Sequence, residues 1–506
     1  MNKELLFKHN EDWTFETMSR VYDAVQEIVD QEIGFTYYPN QIEVVTSEQM
    51  LDSYATVGLP IFYDHWSFGK EFEQNRRQYQ AGQMGLAYEL VINSNPCISY
   101  NMETNTPTMM SLVIAHAAFG HNGFFKNNFL FKQWTDASAI VDYLTFAKRY
   151  IQQCEEKYGL ADVELTLDAC HALQNYGVDK YKRAPKKMSE EAKAARKHES
   201  TIENYDDVWS KTTSFSAQEP QESADGDNHE FEPEENILYF LEKNSPTLQP
   251  WQREIVRIVR KVAQYFYPQA QTKVSNEGFA TFVHHYVMNR LHETGQIDNG
   301  SYLEFIASHT NVVAQPEYNS KYYSGFNPYA LGFAIYSDIK RICTNPTEED
   351  KQWFPKLIGR PWNEVIIEAM SNYKDESFIQ QWLSPKVMRD LGIFVVADDY
   401  RESEYVISAI HDAEGYQRVR NALANAYNRG NMLPDIQVVR TNMKSSRELV
   451  LQHFDRNDIP LDAETAKSTL QYVQFLWGFD VRLETIQLSN HGARNRDYVV
   501  QANPGA

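Results

Sequence analysis

The first hydrophobic pattern along the chain is that of an amphipathic helix. Between residues 14 and 31, apolar side chains recur three and four positions apart, as they do on one face of a helix. These residues are Phe15, Met18, Val21, Tyr22, Val25, Ile28 and Val29. The same period predicts helices at 136–157 and 160–176, and long helices resume after residue 235. Most of the chain is therefore predicted to be helical.

Two regions show short apolar runs that are typical of strands. The first is 85–102, where AYELVI and CISYNM flank the turn residues Ser94–Pro96 and predict a β-hairpin. The second begins at Pro385, where strand-like runs alternate with two predicted helices. The predicted fold class is mainly α with α+β. We expect a helical N-terminal domain with a short hairpin, with a zincin-like arrangement as one option, and a C-terminal α+β domain.

A change in composition divides the predicted helices. In the middle of the chain, large apolar residues become rare and charged and polar residues dominate, which predicts a flexible insertion at 184–234. The segments 1–183 and 235–384 are then expected to form one helical domain in space. The α+β domain is placed at 385–490 and a tail at 491–506.

Composition also narrows the classes of function. The 506 residues carry a formal net charge of -21, which disfavours nucleic acid as a partner. The four cysteines form no CxxC pair, no apolar run approaches the length of a membrane span, and the first residues lack an export signal. We therefore expect a cytoplasmic location and no membrane span. The absence of a GxSxG elbow and of glycine-rich phosphate loops disfavours a serine hydrolase and nucleotide-driven chemistry.

The strongest chemical signal is a pair of histidines in an apolar helix. Residues 111–128 read SLVIAHAAFGHNGFFKNN, which predicts a helix that ends at Gly120 and carries His116 and His121. Five positions correspond to about 140° around a regular α-helix. The two imidazoles therefore converge only if the helix ends or bulges near Gly120.

A second helix offers further ligands. Residues 274–291 read VSNEGFATFVHHYVMNRL, where Glu277 and His284 share one face because they are seven positions apart. Together with the two earlier histidines they predict a site for a divalent metal ion, zinc being favoured by imidazole and carboxylate ligands. His285 is a less well-placed substitute, and the alternative is that these are hydrogen-bonded core residues. The predicted ligand set is His116, His121, Glu277 and His284.

The order of these elements is similar to that in HExxH metallopeptidases, where an edge strand, a histidine helix and a distant glutamate follow one another. Ala117 occupies the place where an HExxH helix carries its catalytic glutamate. A hydrolase would therefore need a base from elsewhere, and Glu89 on the preceding hairpin is the candidate.

The helix at 160–176 carries a second group of candidates. Asp168 is followed three positions later by His171, which is the spacing of ligands in carboxylate-bridged di-metal bundles. These two residues are predicted as additional ligands, and His65, in an aromatic stretch that indicates a cleft wall, is another. The competing interpretation is a solvated acidic stripe beside a structural aromatic loop.

Several long strings resemble the SpoVR family of bacterial proteins, and the resemblance covers about residues 5–490. The strings include YDHWSFGKEFE, ELVINSNPCISYNME, AHAAFGHNGFFKNN, LDACHALQNYGVDKYKR, QTKVSNEGFATFVHHYVMNRL and YKDESFIQQWLSPKVMRDLG. The resemblance implies a link to spore cortex formation or to stress and stationary-phase physiology. It also implies protein partners, namely a PrkA-type serine protein kinase and a YhbH-like protein.

Three hypotheses about function follow. The first is a metal-dependent hydrolase of peptide or amide bonds, related to the cell wall or to stress physiology. The second is a non-catalytic scaffold or regulatory partner of the kinase system, in which the histidines are structural. The third is a ferritin-like di-metal oxidoreductase that depends on Asp168 and His171.

Overall fold

The structure is a computed structural model, and it describes most of the chain. The residues described are 3–56, 59, 62–81, 88–179, 229–397, 406–409, 412–441, 446–455, 459–487 and 493–500. Helices dominate these residues, and the strands form small sheets. The predicted fold class, mainly α with α+β, is confirmed.

Helices make up most of the described part of the chain. The α-helices are Phe15–Ile28, Ser47–Ala55, Trp66–Gln80, Pro107–Val113, Asn122–Asn127, Phe129–Trp134, Ile140–Tyr158, Leu160–Ala172, Ile237–Asn244, Pro250–Gln271, Lys273–Glu293, Asn299–Val312, Pro328–Thr344, Glu348–Trp353, Trp362–Asn372, Asp375–Trp382, Pro385–Asp390, Ala413–Ala426, Arg429–Met432 and Ala463–Trp477. Two π-helices span Val29–Ile33 and Ile114–His121. Short 3-10 helices span Gln174–Tyr176 and Pro355–Leu357. In the part of the chain that the structure describes, no helix combines the length and the apolar character needed to cross a membrane.

The first sheet lies near the N-terminus and has the order β1-β3-β2. It consists of β1 (Asn40–Val45), β2 (Glu89–Ile92) and β3 (Cys97–Met102). The antiparallel pair β2 and β3 is the hairpin that the sequence predicts. The parallel pairing of β1 with β3 was not predicted. It makes β2 an edge strand among the described strands.

A larger sheet has the order β10-β9-β8-β7-β4. Its strands are β4 (His229–Glu234), β7 (Ile436–Thr441), β8 (Leu449–Asp455), β9 (Val481–Gln487) and β10 (Ala493–Val500), while β5 (Val395–Ala397) and β6 (Val406–Ala409) form a separate pair. β8 and β9 are parallel and are joined by the predicted helix Ala463–Trp477. This helix ends at Gly478, whose left-handed φ of 87° suits a residue without a Cβ.

Two strands lie outside the limits predicted for the α+β domain. β4, at 229–234, belongs to the segment predicted as an insertion, yet its backbone pairs with β7. β10 belongs to the predicted tail, yet it pairs along its length with β9. Backbone pairing with β7, which is distant in sequence, orders β4, and pairing with the preceding strand β9 orders β10. Residues 184–228 and the rest of the tail lie outside the described residues.

The buried apolar side chains form two main clusters that cross the predicted domain boundary at Pro385. The first cluster contains most of the apolar residues between Lys273 and Ile393, and Tyr416 and Val419 of the helix Ala413–Ala426 join it. The second combines β7, β8 and β9 with helices from the middle of the chain. The α+β segment therefore packs against the helical segment on two sides.

Two long helices meet at the centre of the first cluster. The segments Pro107–Val113, Ile114–His121 and Asn122–Asn127 run on without a break and are called the histidine helix below. Lys273–Glu293 is called the glutamate helix. A Cβ placed on Gly120 would lie 2.6 Å from the Cα of Ala280, so glycine allows the two helices to approach closely. This contact brings their polar side chains together.

Candidate metal centre

The histidine helix begins where the sequence predicts but does not end there. Thr106 caps it by accepting a hydrogen bond from the N–H of Met109, as expected before Pro107. The prediction that the helix ends at Gly120 is wrong, because helical structure continues to Asn127. The apolar side chains on either side of Gly120 are buried, and this burial favours a continuous helix over a glycine stop.

The convergence of the two histidines comes from a change of helical winding. Residues Ile114–His121 form a π-helix, and the N–H of Asn122 bonds to the carbonyl of Ala117, five residues back. Residues five positions apart therefore lie one above the other, and the ring centroids of His116 and His121 are 4.7 Å apart. The two imidazoles were expected to converge only if the helix ended or bulged near Gly120, and the structure shows the bulge.

Glu277 faces both imidazoles from the glutamate helix. Its Oε2 atom lies 3.7 Å from Nε2 of His116 and 3.4 Å from Nε2 of His121. One ligand atom from each of the three residues can be chosen so that all lie within 4.8 Å of one another. Donor atoms about 2.1 Å from a tetrahedral zinc ion are about 3.4 Å from each other. The separations therefore suit a common metal ion.

The carboxylate of Glu277 also has an unused acceptor. Its Oε2 atom is buried and has no hydrogen-bond partner within the described residues. A buried polar oxygen without a partner costs free energy unless a ligand satisfies it. The side chain is 19% exposed, so the site remains accessible from one side. This orphan oxygen fits a metal-binding role.

Hydrogen bonds behind the imidazoles orient both rings. Nδ1 of His121 lies 3.0 Å from Oδ1 of Asn276, and Nδ1 of His116 lies 2.9 Å from Nδ1 of His284. An Nδ1–H that donates backward leaves the Nε2 lone pair free to face the site. Both Nε2 atoms face Glu277 in this arrangement.

His284 lies behind His116 and contacts a further imidazole. Its Nδ1 atom meets His116, and its Nε2 atom lies 3.0 Å from Nδ1 of His309. Because both ring nitrogens contact other imidazoles, neither points into the site as a ligand. Burial, with further contributions from His116 and His309, holds the pKa of His284 well below its usual value. In this arrangement the neutral His284 supports His116 from behind, and the assignment of His284 as a ligand stays a prediction.

The substitute ligand His285 also lies apart from the site. Its ring packs against Phe333, with centroids 5.0 Å apart, and against His309 at 4.7 Å. Burial, with a contribution from Lys340, lowers the pKa of His285 to about 4. Its position about 100° round the helix from His284 accounts for this separation.

Glu89 lies beside the three converging residues, as predicted. It is the first residue of the edge strand β2, and its Oε1 atom lies 3.8 Å from Nε2 of His116. Burial raises the pKa of Glu89 above its usual value. Burial alone would also raise the pKa of Glu277, but the neighbouring imidazoles, His121 foremost, lower it. The two carboxyl groups therefore have opposite shifts, a pattern found where one carboxylate binds and another moves protons.

Tyr329 is a residue of the site that the sequence does not reveal. It lies in the first turn of the helix Pro328–Thr344, and its ring stacks on His116 with centroids 6.4 Å apart. Its hydroxyl lies near the Glu277 carboxylate. Burial, together with the nearby carboxylates, raises the pKa of Tyr329, so its hydroxyl stays protonated. Asn327 and Pro328 mark a helix start, but no pattern connects it to the histidines.

The second group of predicted ligands forms a different kind of cluster. Nε2 of His65 lies 3.2 Å from Oδ1 of Asp168, which also accepts a hydrogen bond from the indole N–H of Trp66. His171 bonds instead to the hydroxyl of Tyr63, at 2.6 Å from its Nε2 atom. Asp168 and His171 are thus held by residues 63–66, at the start of the helix Trp66–Gln80. Within the described residues, only the His116 group meets the distance criterion for a metal site.

Comparisons with known proteins show the family to which the chain belongs. A family model described as SpoVR like protein matches residues 12–432, and one described as SpoVR-like C-terminal domain matches residues 434–488. The chain belongs to the SpoVR family, and the resemblance found in the sequence is confirmed. It is 54% identical over 486 residues to an uncharacterized protein, YcgB, of Escherichia coli (strain K12), covering 96% of this chain and 95% of the relative. No solved structure matches the chain.

Proposed function

We propose that this SpoVR-family protein is a metal-dependent hydrolase of peptide or amide bonds, with His116, His121 and Glu277 as ligands of a zinc ion. The observation that carries the proposal is the buried Oε2 atom of Glu277, which faces two imidazole nitrogens and has no hydrogen-bond partner in the described part of the chain. Two histidines and one glutamate are a common ligand set of catalytic zinc.

The zinc ion and the protein side chains contribute different parts of the reaction. A zinc ion held by three protein ligands keeps an open position, where it makes bound water more acidic and polarises a carbonyl group. Asn276 and His284 keep the Nε2 atoms of the ligand histidines directed into the site. The Tyr329 hydroxyl, which stays protonated, is placed to donate a hydrogen bond to an oxygen that becomes negative.

Glu89 acts as the general base, because Ala117 occupies the place where an HExxH helix carries its catalytic glutamate. Hydrolysis of an amide breaks the C–N bond, adds a hydroxyl group to the carbonyl carbon and adds a proton to the leaving nitrogen. Glu89 lies beside His116 and can accept the proton from water and return it to the nitrogen. Its raised pKa places it closer to neutral pH, which favours both transfers.

The preference for a peptide is supported by the sheet beside the site. Among the described strands, β2 pairs only with β3, so its other edge has no strand partner there. Extended peptides bind to such edges. A peptide added to β2 would pass Glu89, the first residue of the strand. The family resemblance implies a link to the cell wall or to stress physiology. We therefore predict a cytoplasmic peptide substrate that belongs to one of these processes.

The experiment compares zinc-loaded and chelator-treated protein on quenched-fluorescent peptides and on cell-wall muropeptides. We expect cleavage only with zinc, and Glu89→Gln to retain zinc while losing activity by about 100-fold or more. The matched control is Glu103→Gln, since Glu103 is an exposed carboxylate just after β3 of the same hairpin. Zinc-independent cleavage, or full activity of Glu89→Gln, would contradict the proposal. Zinc binding without any cleavage would favour the scaffold hypothesis and a PrkA-type kinase partner.

A further inference from the structure

A cavity of about 400 Å³ lies away from the candidate metal centre. It is bounded by the helix Pro250–Gln271, the end of the helix Leu160–Ala172 and the segment 428–433, and no residue of the metal centre lines it. Its volume falls within the range of pockets that bind small molecules. The segment 62–68, which the sequence indicates as a cleft wall, forms one side.

One wall of the cavity is the face of a single helix. The lining residues of Pro250–Gln271 recur three and four positions apart and are largely apolar. They are Val259, Val262, Ala263, Phe266, Tyr267, Ala270 and Gln271. Phe62 and Tyr63 stack on each other with centroids 4.3 Å apart, and Phe68 packs against both. A wall so rich in rings favours a flat, apolar ligand.

Hydrogen bonds hold the aromatic wall in place. The Tyr63 hydroxyl lies 2.6 Å from Nε2 of His171. Burial raises the pKa of Tyr63 and lowers the pKa of His171 to about 4. The protonated hydroxyl of Tyr63 therefore donates a hydrogen bond to the neutral imidazole of His171. His65 holds the next turn through Ser67, with Nδ1 and Oγ 2.7 Å apart. The wall is therefore formed before any ligand binds, which reduces the entropic cost of binding.

Two basic side chains line the cavity as well. Lys374 lines it but is paired with Glu376 at 2.8 Å. Arg429 also lines it and is half-buried, with Nη1 3.5 Å from the carbonyl oxygen of Ala270. Among the residues that the structure describes, no carboxylate forms an ion pair with Arg429. An unpaired guanidinium beside an apolar cavity favours an anionic group on the ligand.

We propose that this cavity binds a small aromatic anion, with its rings against Phe62, Tyr63 and Phe266 and its anionic group at Arg429. The site would give the protein a second ligand besides the substrate of the metal centre. Ligand binding in this cavity does not require the metal ion, so the two proposals can be tested independently of each other.

Two fluorescent probes with the same rings test the role of charge. 8-Anilinonaphthalene-1-sulfonate carries an anionic group, and N-phenyl-1-naphthylamine does not. Titration of the full-length protein should show one sulfonate site per chain and weaker binding of the uncharged probe. Arg429→Ala should weaken sulfonate binding about fivefold and leave the uncharged probe unaffected, as expected for a half-exposed charge contact. Arg418→Ala is the control, because Arg418 is exposed and away from the cavity.

Filling the cavity tests the location. Ala263→Phe and Ala270→Phe each add a ring to the lining face of the helix, so each should reduce sulfonate binding at least about tenfold. Two positions are used so that at least one variant keeps the circular dichroism spectrum of the wild type. Equal binding of both probes, or unchanged sulfonate binding in Arg429→Ala, would overturn the proposal. So would unchanged binding in a folded cavity-filling variant.

Discussion

The Nδ1 atoms of His116 and His284 lie 2.9 Å apart, and this contact begins a row of three imidazoles that ends at His309. A neutral imidazole has one donor and one acceptor. If His116 donates from Nδ1, then His284 accepts at Nδ1 and donates from Nε2 to His309. This order of protons leaves Nε2 of His116 free to bind a metal ion, so the row supports a ligand.

Removing His284 should therefore weaken metal binding without abolishing it. We expect His284→Ala to reduce zinc affinity about 10-fold to 100-fold, the usual effect of losing a hydrogen bond behind a ligand histidine. Competition with a fluorescent zinc chelator measures the affinity. His292→Ala, near the end of the same helix and stacked on Tyr302, is the control and should bind zinc normally. Wild-type affinity in His284→Ala would show that the contact has no supporting role.

The close approach of the two helices should depend on Gly120. A Cβ at this position would lie 2.6 Å from the backbone of Ala280, so Gly120→Ala must push the helices apart. We expect a loss of about 1–3 kcal/mol in the free energy of unfolding, together with weaker zinc binding. Denaturant titration of metal-free protein measures the change in the free energy of unfolding.

The control for this substitution is Gly69→Ala in the exposed helix Trp66–Gln80. No atom lies within 4 Å of a Cβ placed there. The change should stabilise the protein by up to about 1 kcal/mol, because alanine loses less backbone entropy than glycine on folding. If both glycine variants behaved alike, the close packing at Gly120 would not matter.

The stability of the glutamate helix should depend on pH through Asp375. This carboxyl group accepts the N–H groups of Val274 and Ser275 at 2.9 and 2.8 Å, and burial raises its pKa from 3.8 to about 7. Between these values the folded protein binds more protons than the unfolded chain. The free energy of unfolding therefore falls as the pH rises through this interval, and the loss is complete above pH 7.

Asp375→Asn should remove this dependence. Relative to the wild type, the variant should gain up to about 4 kcal/mol as the pH rises from 4 to 8. Denaturant titrations at several pH values measure the difference, and Asp390→Asn, at an exposed ion pair with Lys386, is the control. A difference that does not change with pH would contradict this account of Asp375.

The cluster of His65, Asp168 and His171 should not contribute to metal binding. Asp168 is held by His65 and Trp66, and His171 by Tyr63. Asp168→Asn and His171→Ala should therefore leave the metal content at about one ion per chain. Two metal ions per chain, one lost in each variant, would instead support the di-metal oxidoreductase hypothesis.

Local signals in the sequence predicted the parts of the fold that depend on neighbouring residues. The hairpin of β2 and β3 follows from apolar runs around a turn. The cap at Thr106 and the stop at Gly478 follow from side-chain and backbone preferences. The pairing of Glu277 with the two histidines was also predicted, because a metal site needs several ligands and few helices offer them.

The remaining features depend on contacts between residues distant in sequence. The parallel pairing of β1 with β3 and the addition of β4 to the large sheet leave no local pattern. The π-helical segment around His116 contains Gly120, which packs closely against Ala280, 160 positions further along the chain. His309 was missed because a single histidine in a helix shows nothing about its partners.

The metal content of protein purified without a histidine tag tests the central claim most directly. The account predicts about one zinc ion per chain in the wild type and in Glu89→Gln, and loss of most of it in His121→Ala and Glu277→Ala. Elemental analysis by mass spectrometry gives these values, and denaturant titration shows whether the variants fold. A wild type without stoichiometric transition metal, together with His121→Ala and Glu277→Ala variants of unchanged stability, would contradict the account.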